Sequence, residues 1–419
     1  MTFAMMVLGC KVNDFEATYV REQLLEKGYE EVSFKEKADI YIVFTCAVTN
    51  MAEAKTRKYI RRTKKQNPDA FTVAVGCLVQ IDENGEVFDD IDLLIGSEEK
   101  EKIVPFIEER MKGRYLSKSP SPKFEEMPLS SYPGKSRAFL KIEDGCDQFC
   151  AYCVSPYARG RERSARHEYV LEEAKKLAEY SPEIVLTGIH TGRYFDGEWH
   201  LEDLLRELVK IEKLKTIRLS SIEMNEITDG ILDLFKTGKM GRNLHIPVQS
   251  LSDEVLKAMR RPYTLKEYKE RIAEIRERIP GISISTDLIV GFPGETEEIF
   301  EGILKEINEI GFSFIHVFPY ARKKGTLADR LPGHIDNGAK KRRVNEVMRR
   351  VAPHTQAFER SYIGKQTDVL IEYTENGYSY GYAKEYFYVK IKGELPAGEI
   401  ARVHIEDVNE EGVIGKVCC

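Results

Sequence analysis

The sequence predicts an α/β protein of three domains: an N-terminal domain with a parallel sheet, a central partial (β/α)6 barrel and a small C-terminal antiparallel β-barrel. Three observations predict this order. Strand and helix patterns alternate over the first part of the chain, a longer alternation follows, and short runs rich in Tyr, Val, Ile and Gly end the chain. We place the domains at residues 1–115, 136–355 and 356–419, with a linker rich in Ser and Pro at 116–135.

The N-terminal domain is predicted from apolar runs that have the length of buried strands. Two helical patterns separate the first three runs, and strands that alternate with helices form parallel sheets. The predicted strands are residues 3–8, 40–44, 71–75 and 93–95, and the predicted helices are residues 14–27 and 51–66.

The central domain is predicted from six further strand–helix units. Six units make an open relative of the eight-stranded barrel, in which active sites lie at the carboxyl ends of the strands. The predicted strands are residues 139–142, 184–187, 217–220, 244–248, 282–290 and 314–318. The predicted helices are residues 168–180, 201–213, 226–236, 252–259, 265–278 and 295–310.

Composition excludes several classes of protein. Of the 419 residues, 42% are hydrophobic and 32% are charged, as in soluble globular proteins. We find no apolar run of about 18 residues and no basic segment before the first apolar run, so we expect neither a membrane span nor a secretory signal. Eight cysteines, three of them with a ligand-like spacing, indicate a reducing, cytoplasmic setting and metal binding rather than disulfides.

Basic residues cluster in two segments although the net charge is −6. Residues 51–66 carry seven basic residues and one acidic residue, and residues 322–350 carry ten basic and three acidic residues. Such clusters are usually solvated helix faces. Two of them in an acidic protein nevertheless favour a partner that is rich in phosphate.

Three closely spaced cysteines, Cys146, Cys150 and Cys153, follow the first strand of the predicted barrel with the spacing C-x3-C-x2-C. Three thiolates can hold three irons of a 4Fe-4S cluster, which normally takes four cysteines, so that one iron stays open to another ligand. Zinc is the alternative metal. Zinc sites favour four ligands in two separated pairs, and no second pair lies nearby in the sequence. We therefore predict an iron–sulfur site.

A second set of cysteines shares one structural position. Cys10, Cys46 and Cys77 each come just after a predicted parallel strand, so all three should meet at the sheet edge where α/β folds bind ligands. The alternative is that they are ordinary buried core residues. Three equivalent positions favour a second cluster, again with one iron open. Cys418 and Cys419 fit neither set and receive no role.

These residues resemble the radical-SAM methylthiotransferases along nearly the full length of the chain. The motifs that carry the resemblance are LGCKVN at 8–13, CAVTN at 46–50, GC at 76–77, GCDQFCAYC at 145–153, PYARG at 156–160 and IVGFPGET at 289–296. GCKVN and CxVTN are similar to the MtaB-type branch. Two positions depart from the family pattern: Ala165 separates Ser164 from an arginine, and Leu251 follows Gln249-Ser250 where the family often has glycine.

The resemblance implies a cluster domain, a radical-SAM core and a C-terminal TRAM domain in this order. It implies addition of a methylthio group to carbon 2 of N6-threonylcarbamoyladenosine beside the tRNA anticodon. The core cluster would bind S-adenosylmethionine (SAM) and cleave it to a 5′-deoxyadenosyl radical, while the N-terminal cluster supplies sulfur or a methylthio group and a second SAM donates the methyl group. An electron-donor protein and a sulfur source would be needed, and the N-terminal sheet edge should dock on the barrel so that both clusters face the substrate.

The resemblance also suggests SAM contacts at the loops that follow the barrel strands. The alternative for each is a turn or cap residue. The predicted contacts are Tyr152, Thr187, Gly188, Ser220, Ser221, Glu223, Gln249, Gly291 and Pro293. His190, His245 and His316 near strand ends are predicted to be packing residues rather than metal ligands, and Asp287 is either a buried structural acid or a ligand contact.

The C-terminal barrel is predicted from runs at residues 367–373, 386–390 and 399–405, and TRAM domains bind RNA in this family. Residues 356–419 carry only 7 basic against 11 acidic residues. Their many aromatic side chains could stack on unpaired anticodon bases, although half should be core. We therefore expect the two basic segments to contact tRNA, and Arg342 and Arg343 to contribute.

Three alternatives to this function stay open. The chain could modify isopentenyladenosine, whose branch usually shows GCQMN in place of GCKVN, or a ribosomal-protein aspartate. It could also be a non-catalytic RNA-binding protein stabilised by metal. The last alternative gives no reason for two open three-cysteine sites, and the ratio of iron to sulfide distinguishes it from the enzyme.

Overall fold

The computed structural model describes residues 1–82, 88–89, 91–117, 123–132 and 135–418. A parallel sheet, an open parallel barrel and a closed small barrel follow one another along the chain, which confirms the predicted fold class. Among the described helices, none is both long and apolar enough to cross a membrane.

The N-terminal domain is a six-stranded sheet in which every neighbouring pair is parallel. Its strands are β1 (Thr2–Val7), β2 (Glu30–Glu31), β3 (Ile40–Thr45), β4 (Phe71–Gly76), β5 (Leu93–Ile95) and β6 (Gly113–Tyr115), in the spatial order 2-1-3-4-5-6. Its helices are α1 (Lys11–Glu26), α2 (Asn50–Gln66), α3 (Cys77–Ile81) and α4 (Ile103–Glu108). Every residue of β3 and β4 is buried, because the sheet is covered on both faces.

The central domain contains all six predicted barrel strands. They are β7 (Ala138–Lys141), β10 (Glu183–Thr187), β13 (Thr216–Leu219), β14 (Asn243–His245), β15 (Ser283–Val290) and β16 (Phe314–Pro319). Two short antiparallel pairs lie outside the barrel sheets: β8 (Glu143–Asp144) with β9 (Arg163–Ser164), and β11 (Phe195–Asp196) with β12 (Trp199–His200). The barrel strands form two parallel sheets of three, 7-10-13 and 14-15-16. The amide of Ile222 donates to the carbonyl of His245 at 3.1 Å and joins the two sheets. Strands β7 and β16 are the free edges of this open barrel.

Helices cover the outer face of the barrel. They are α5 (Ser155–Arg159), α6 (His167–Leu177), α7 (Leu201–Leu208), α8 (Asp229–Leu234), α9 (Asp253–Ala258), α10 (Leu265–Arg278), α11 (Glu297–Ile310) and α12 (Asn337–Arg360). No helix was predicted after residue 310, yet α12, with 24 residues, is the longest helix among the described residues. Its buried Val347 and Val351 belong to the central core. Its many basic residues leave few apolar residues at helical spacing, so the sequence pattern does not indicate a helix.

The C-terminal barrel is closed by five strands. They are β17 (Gln366–Glu375), β18 (Tyr378–Ala383), β19 (Tyr388–Lys392), β20 (Ile400–Asn409) and β21 (Gly412–Val417). The closed order is 17-18-19-21-20. Four pairings are antiparallel as predicted, but β19 and β21 pair in parallel, with Val389 opposite Val413. Closing a barrel with five strands leaves one pair that runs in the same direction.

The described part of the predicted linker, residues 123–132, is packed rather than extended. Met127, Leu129 and Tyr132 are buried in the core of the central domain. The Tyr132 hydroxyl donates to Asp14 of α1 at 2.9 Å, and the backbone amide of Ser130 donates to a carboxylate of the same helix. The segment therefore fastens the first domain to the second. Residues 118–122 and 133–134 of the predicted linker lie outside the described residues.

Candidate active site

Three cysteines of the N-terminal domain lie at the carboxyl edge of its sheet. Cys10 precedes α1, Cys46 follows β3, and Cys77 begins α3 directly after β4. Because β1, β3 and β4 are neighbours in a parallel sheet, the three thiols converge. Burial, and then the nearby Cys77 and Cys10, raise the pKa of Cys46 to about 11. Cys10 is reached by solvent, yet it lies among many protein atoms, and this enclosure raises its pKa as well.

Two glycines let the cysteine loops approach one another. A Cβ atom at Gly9 would lie 2.8 Å from Cβ and 3.1 Å from Sγ of Cys46. A Cβ atom at Gly76 would lie 3.0 Å from the carbonyl oxygen of Thr45. Both glycines have left-handed backbones, with φ of +108° and +107°. Any other residue at these positions would push the loops apart.

The other three cysteines lie in a tight loop that follows β7 and β8. The amide of Cys153 donates to the carbonyl of Cys150 at 3.0 Å, and Phe149 adopts a left-handed φ of +47°. Burial raises the pKa of Cys150. Burial, together with Cys150 and Cys146, raises the pKa of Cys153 to about 11. The three thiols therefore lie close enough to act on one another electrostatically.

N–H groups point at all three sulfur atoms of this loop. The pairs are the amide of Gln148 with Sγ of Cys146 at 3.4 Å, the amide of Ser155 with Sγ of Cys153 at 3.4 Å, and Nη1 of Arg261 with Sγ of Cys150 at 3.6 Å. Such hydrogen bonds stabilise thiolate ligands and tune iron–sulfur clusters. The six cysteines of both sets are free thiols. Their donor chemistry fits two clusters that each keep one iron open.

The two cysteine loops share one hydrophobic cluster. Ala47 follows Cys46, Leu78 follows Cys77, and Val154 follows Cys153; all three side chains are buried in the same cluster. The carboxyl edge of the first sheet therefore docks beside the cysteine loop of the barrel. The resemblance predicted this docking, and neither loop alone shows it in the sequence.

Arg159 of α5 is fully buried and joins the two domains. Its Nε lies 3.2 Å from Sγ of Cys77, the nearest donor to that sulfur. Its two terminal nitrogens donate to Asn13 at 2.7 Å and Glu16 at 2.7 Å in α1, and to Asp144 at 3.3 Å in the barrel. A single guanidinium thus fixes the N-terminal set of cysteines against the central domain.

Buried charges surround this arginine. Burial would raise the pKa of Glu16, but Arg159, Lys100 and Lys141 lower it to about 2. The same kind of contacts hold the pKa of Asp144 well below its usual range. Lys141 is 2.8 Å from Glu16 and 2.7 Å from Asp144. Carboxylates and cations from both domains therefore stay ionised at the docking surface.

His190 lies beside Cys146, with Nδ1 3.5 Å from the sulfur. The same nitrogen is 2.8 Å from Glu162, and Nε2 is 2.8 Å from Glu226. Burial opposes a charge here, but the contacts with Cys146, Glu162 and Glu226 outweigh it and raise the pKa of His190 to about 12. Cys146, Glu162 and His190 place one possible ligand atom each within 4.8 Å of one another, so the packing role of His190 stays a prediction.

Glu143 faces the predicted SAM contacts Thr187 and Gly188. A Cβ atom at Gly188 would lie 2.6 Å from Oε2 of Glu143, and Thr187 is buried at the end of β10. Burial raises the pKa of Glu143 to about 8. Its Oε2 accepts from the amide of His190 at 2.6 Å, but the buried Oε1 has no partner. A carboxylate oxygen of this kind is a ready acceptor for a ligand ammonium group.

Arg261 brings two further predicted contacts to the cysteine loop. It donates to Glu223, to the hydroxyl of Tyr263 at 2.6 Å and to Cys150. Burial raises the pKa of Glu223 and the Arg261 charge opposes this shift. The charge of Arg261 also acts on Tyr152, whose pKa burial raises. Glu223 and Tyr152 thus meet at Cys150.

The remaining predicted contacts are less closely gathered. Ser220 follows β13 at the top of the barrel and is partly buried, while Ser221 is exposed. Gln249 has a left-handed φ of +69° and pairs with β15. Gly291 and Pro293 are buried, and the Cβ position of Gly291 points at α12. Arg159, Arg261 and Glu143 were missed as site residues, because each acts through contacts between distant segments.

The inner face of the barrel is polar on one side and aromatic at its free edge. Nε2 of His245 on β14 is 3.2 Å from Asp287 on β15. The rings of His245 and His316 lie 5.4 Å apart. Phe314 packs 4.7 Å from His316, and Phe318 stacks on its other side at 6.5 Å. Both phenylalanines are exposed, so the edge strand β16 presents an aromatic wall.

The two basic segments meet at the domain junction. Lys323 forms a buried ion pair with Glu53 of α2. The exposed basic side chains of α2 are Lys55, Arg57, Lys58, Arg61 and Lys65. The expectation for Arg343 requires correction, because its side chain is 3% exposed and paired with Glu295 at 2.6 Å. Arg342 is exposed but paired with Glu297 at 2.7 Å. Helix α2, rather than these arginines, offers free positive charge.

The C-terminal barrel divides its aromatic residues between core and surface. Phe387 is buried in the barrel core. Tyr373, Tyr386 and Tyr388 are exposed. The ring of Tyr380 stacks on Tyr373 at 4.9 Å and on Tyr388 at 6.1 Å. This exposed tyrosine ladder is a surface on which bases can stack.

Three families match successive parts of the chain. Residues 2–96 match the Uncharacterized protein family UPF0004, residues 140–307 match the Radical SAM superfamily, and residues 360–418 match the TRAM domain. Among solved structures, the cobalamin-dependent SAM radical enzyme OxsB with aqua-cobalamin and SAM bound has a TM-score of 0.52 at 12% identity, covering 85% of this chain. This chain spans 57% of that structure, and the likeness concerns the fold alone.

Relatives that match this chain over nearly its full length identify its family. The threonylcarbamoyladenosine tRNA methylthiotransferase MtaB of Bacillus subtilis is 36% identical over 96% of this chain and 93% of its own length. The Aquifex aeolicus protein of the same name is 34% identical over 97% of this chain and 100% of its own length. A tRNA-2-methylthio-N(6)-dimethylallyladenosine synthase of Thermodesulfovibrio yellowstonii is 33% identical over 98% and 97%. The chain therefore belongs to the radical-SAM methylthiotransferases of the MtaB type.

Proposed function

We propose that this enzyme adds a methylthio group to carbon 2 of N6-threonylcarbamoyladenosine beside the tRNA anticodon, using two 4Fe-4S clusters. The observation that carries the proposal is the hydrophobic cluster of Ala47, Leu78 and Val154, which sets two three-cysteine loops side by side at the mouth of the barrel. Threonylcarbamoyladenosine is the substrate in the names of the relatives at 34–36% identity.

Each cysteine set would hold one cluster. Cys146, Cys150 and Cys153 would bind the cluster that receives SAM, and the set of Cys10, Cys46 and Cys77 would bind the other. When bound, the first group supplies one-electron chemistry with SAM and the second supplies the sulfur that the product carries. The chain itself positions the ligands, as Gly9 does for Cys46 and Arg159 does for Cys77.

The predicted SAM contacts follow from the same geometry. Glu143 would accept from the SAM ammonium group through its unpartnered Oε1, since this side chain lies beside Gly188. Glu223, which Arg261 holds beside Cys150, and Tyr152, which lies between Cys150 and Cys153, would line the nucleoside part. Thr187, Ser220, Ser221, Gln249, Gly291 and Pro293 complete the proposed set.

Modification of isopentenyladenosine is the second candidate function. Relatives named dimethylallyladenosine synthases match at 32–33% identity over most of the chain, only slightly below the MtaB relatives. Both substrates are adenosines with an N6 substituent, so the same fold and the same cysteine sets serve either.

Nucleoside mass spectrometry of tRNA tests the proposal. Cells that lack this protein should contain threonylcarbamoyladenosine without its 2-methylthio derivative. The wild-type gene should restore the derivative, and a Cys146→Ala gene should not. Loss of the 2-methylthio group from isopentenyladenosine instead would favour the second candidate.

The basic face of α2 gives a second measurable expectation. We expect the Arg57→Gln/Arg61→Gln variant to bind tRNA more weakly. The slope of the logarithm of the binding constant against the logarithm of the salt concentration should become shallower by about 1.5, since each lost phosphate contact removes roughly 0.7 to 0.9. Binding is measured by filter retention between low and moderate salt. Lys210→Gln/Lys213→Gln, two exposed lysines outside both basic segments that pair with Glu207 and Glu179, is the matched control. An equal loss in both variants would disprove a specific role for α2.

A further inference from the structure

Lys11 extends from the N-terminal domain toward the inside of the barrel. It begins α1 directly after Cys10. Its ammonium group lies within electrostatic range of Arg137, Arg218 and Asp287, and it acts on His316 as well. These groups belong to the start of β7 and to the inner faces of β13, β15 and β16. Lys11 therefore lies between Cys10, a proposed cluster ligand, and the interior of the barrel.

The other charges around Lys11 are already paired. Arg137 contacts Glu183 at 3.3 Å and a carboxylate of β17 at 3.0 Å. Arg218 contacts Glu183 at 2.9 Å and donates to two carbonyls of the C-terminal barrel. Asp287 is held by His245 at 3.2 Å. Within the part of the chain that the structure describes, the Lys11 ammonium has neither a hydrogen bond nor an ion pair. It is a half-buried cation beside two guanidinium groups.

This arrangement favours an anion. Burial and the two guanidinium groups disfavour the free ammonium group, and the Asp287 carboxylate, which also contacts His245, does not offset them. An anionic ligand would relieve both effects. The aromatic wall of Phe314, His316 and Phe318 lies on the edge strand of the same interior and offers faces on which a purine can stack. An adenine with an anionic substituent matches both features. The anion could come from the substituent or from a backbone phosphate.

We propose that Lys11 binds the carboxylate of the threonylcarbamoyl group and thereby sets the preference of this enzyme for an anionic N6 substituent. This inference rests on the proposed function, because isopentenyladenosine has no such group. An ammonium–carboxylate hydrogen bond in a partly buried site is charge-assisted and strong. A neutral substituent would leave the Lys11 charge without a partner, so that the residue also acts against the competing substrate.

The test is a double-mutant cycle on binding. Reconstituted holoenzyme without reductant is titrated with anticodon stem-loop RNAs that carry threonylcarbamoyladenosine, its methyl ester or isopentenyladenosine. Esterification removes the charge and keeps the shape. We expect the ester to bind wild type about 10- to 100-fold more weakly than the acid, the range for a hydrogen bond to a charged group. Lys11→Gln should weaken binding of the acid RNA by the same factor and leave binding of the ester RNA unchanged. Lys11→Arg should keep most of the preference.

Two outcomes would overturn the inference, and a third would overturn the proposed function instead. If Lys11→Gln weakens binding of the acid RNA and of the ester RNA equally, the residue contacts backbone phosphate. If it weakens binding of neither RNA, Lys11 is not part of the site. If wild type itself binds isopentenyladenosine RNA better than the acid, the proposed substrate is wrong. Iron content of each variant is measured in parallel, and the titrations are compared at equal cluster content.

Discussion

Cys46→Ala should abolish methylthio transfer and leave reductive cleavage of SAM intact, whereas Cys146→Ala should abolish both. The physical reason is that the two cysteine sets are separate. Cys46 ends a strand of the first domain and lies against Gly9, while Cys146 lies in the barrel loop beside His190. Each substitution therefore removes one sulfur ligand from one site only.

Iron, 5′-deoxyadenosine and methylthiolated RNA are measured on the same preparations. Wild type should hold about eight irons and each variant about four, since a 4Fe-4S cluster with only two cysteines left is poorly held. Cys418→Ala is the matched control, because Cys418 belongs to neither set. An equal loss of 5′-deoxyadenosine in Cys46→Ala and Cys146→Ala would show that the two sets do not serve separate clusters.

Features that depend on local spacing were predictable from the sequence. The spacing C-x3-C-x2-C and the position of Cys10, Cys46 and Cys77 after apolar runs are short-range patterns, and the structure puts five of these residues in loops at the junction and Cys77 at the start of α3. Their role as ligands stays a prediction. All six barrel strands were predicted because buried parallel strands are apolar and end at recognisable turns.

Features that depend on packing between distant segments were not predictable in the same way. Helix α12 was missed because its basic face outweighs the few apolar residues, such as Val347, that hold it to the barrel. The parallel pairing of β19 with β21 follows from barrel closure, which alternation does not encode. The ion pair with Glu295 buries Arg343, which was expected to contact tRNA, and the pair of Arg261 with Glu223 joins segments whose contact no local pattern encodes.

Arg159→Met should loosen the N-terminal domain from the barrel. The substitution removes the donor to Cys77, Asn13, Glu16 and Asp144 at once, and these acceptors stay buried. Removing one partner of a buried ion pair typically costs about 3 to 5 kcal/mol. The matched control is Arg161→Met, whose side chain is 80% exposed and makes one contact with Asp147 at 3.5 Å. An exposed pair of this kind contributes about 0 to 1 kcal/mol.

Hydrogen exchange of α1 measures this loosening directly, because the helix carries two of the four acceptors. Its amide protection should fall by about 100-fold or more in Arg159→Met and stay near wild type in Arg161→Met. The difference in protection between Arg159→Met and wild type should shrink in acid, because protonation of Glu16 breaks its ion pair with Arg159 in wild type as well. Arg159 is the strongest of the cations that hold the pKa of Glu16 at about 2, so without it the carboxylate protonates at a higher pH. A group with a lowered pKa stabilises the folded state above its unfolded pKa of about 4.5, and this contribution disappears as pH falls through the folded value. As pH falls from about 4.5 toward the folded value of about 2, wild type should therefore lose more protection of α1 than Arg159→Met, in which Glu16 has already lost its strongest cationic partner. Equal protection of α1 in the two methionine variants would show that Arg159 does not hold the domains together.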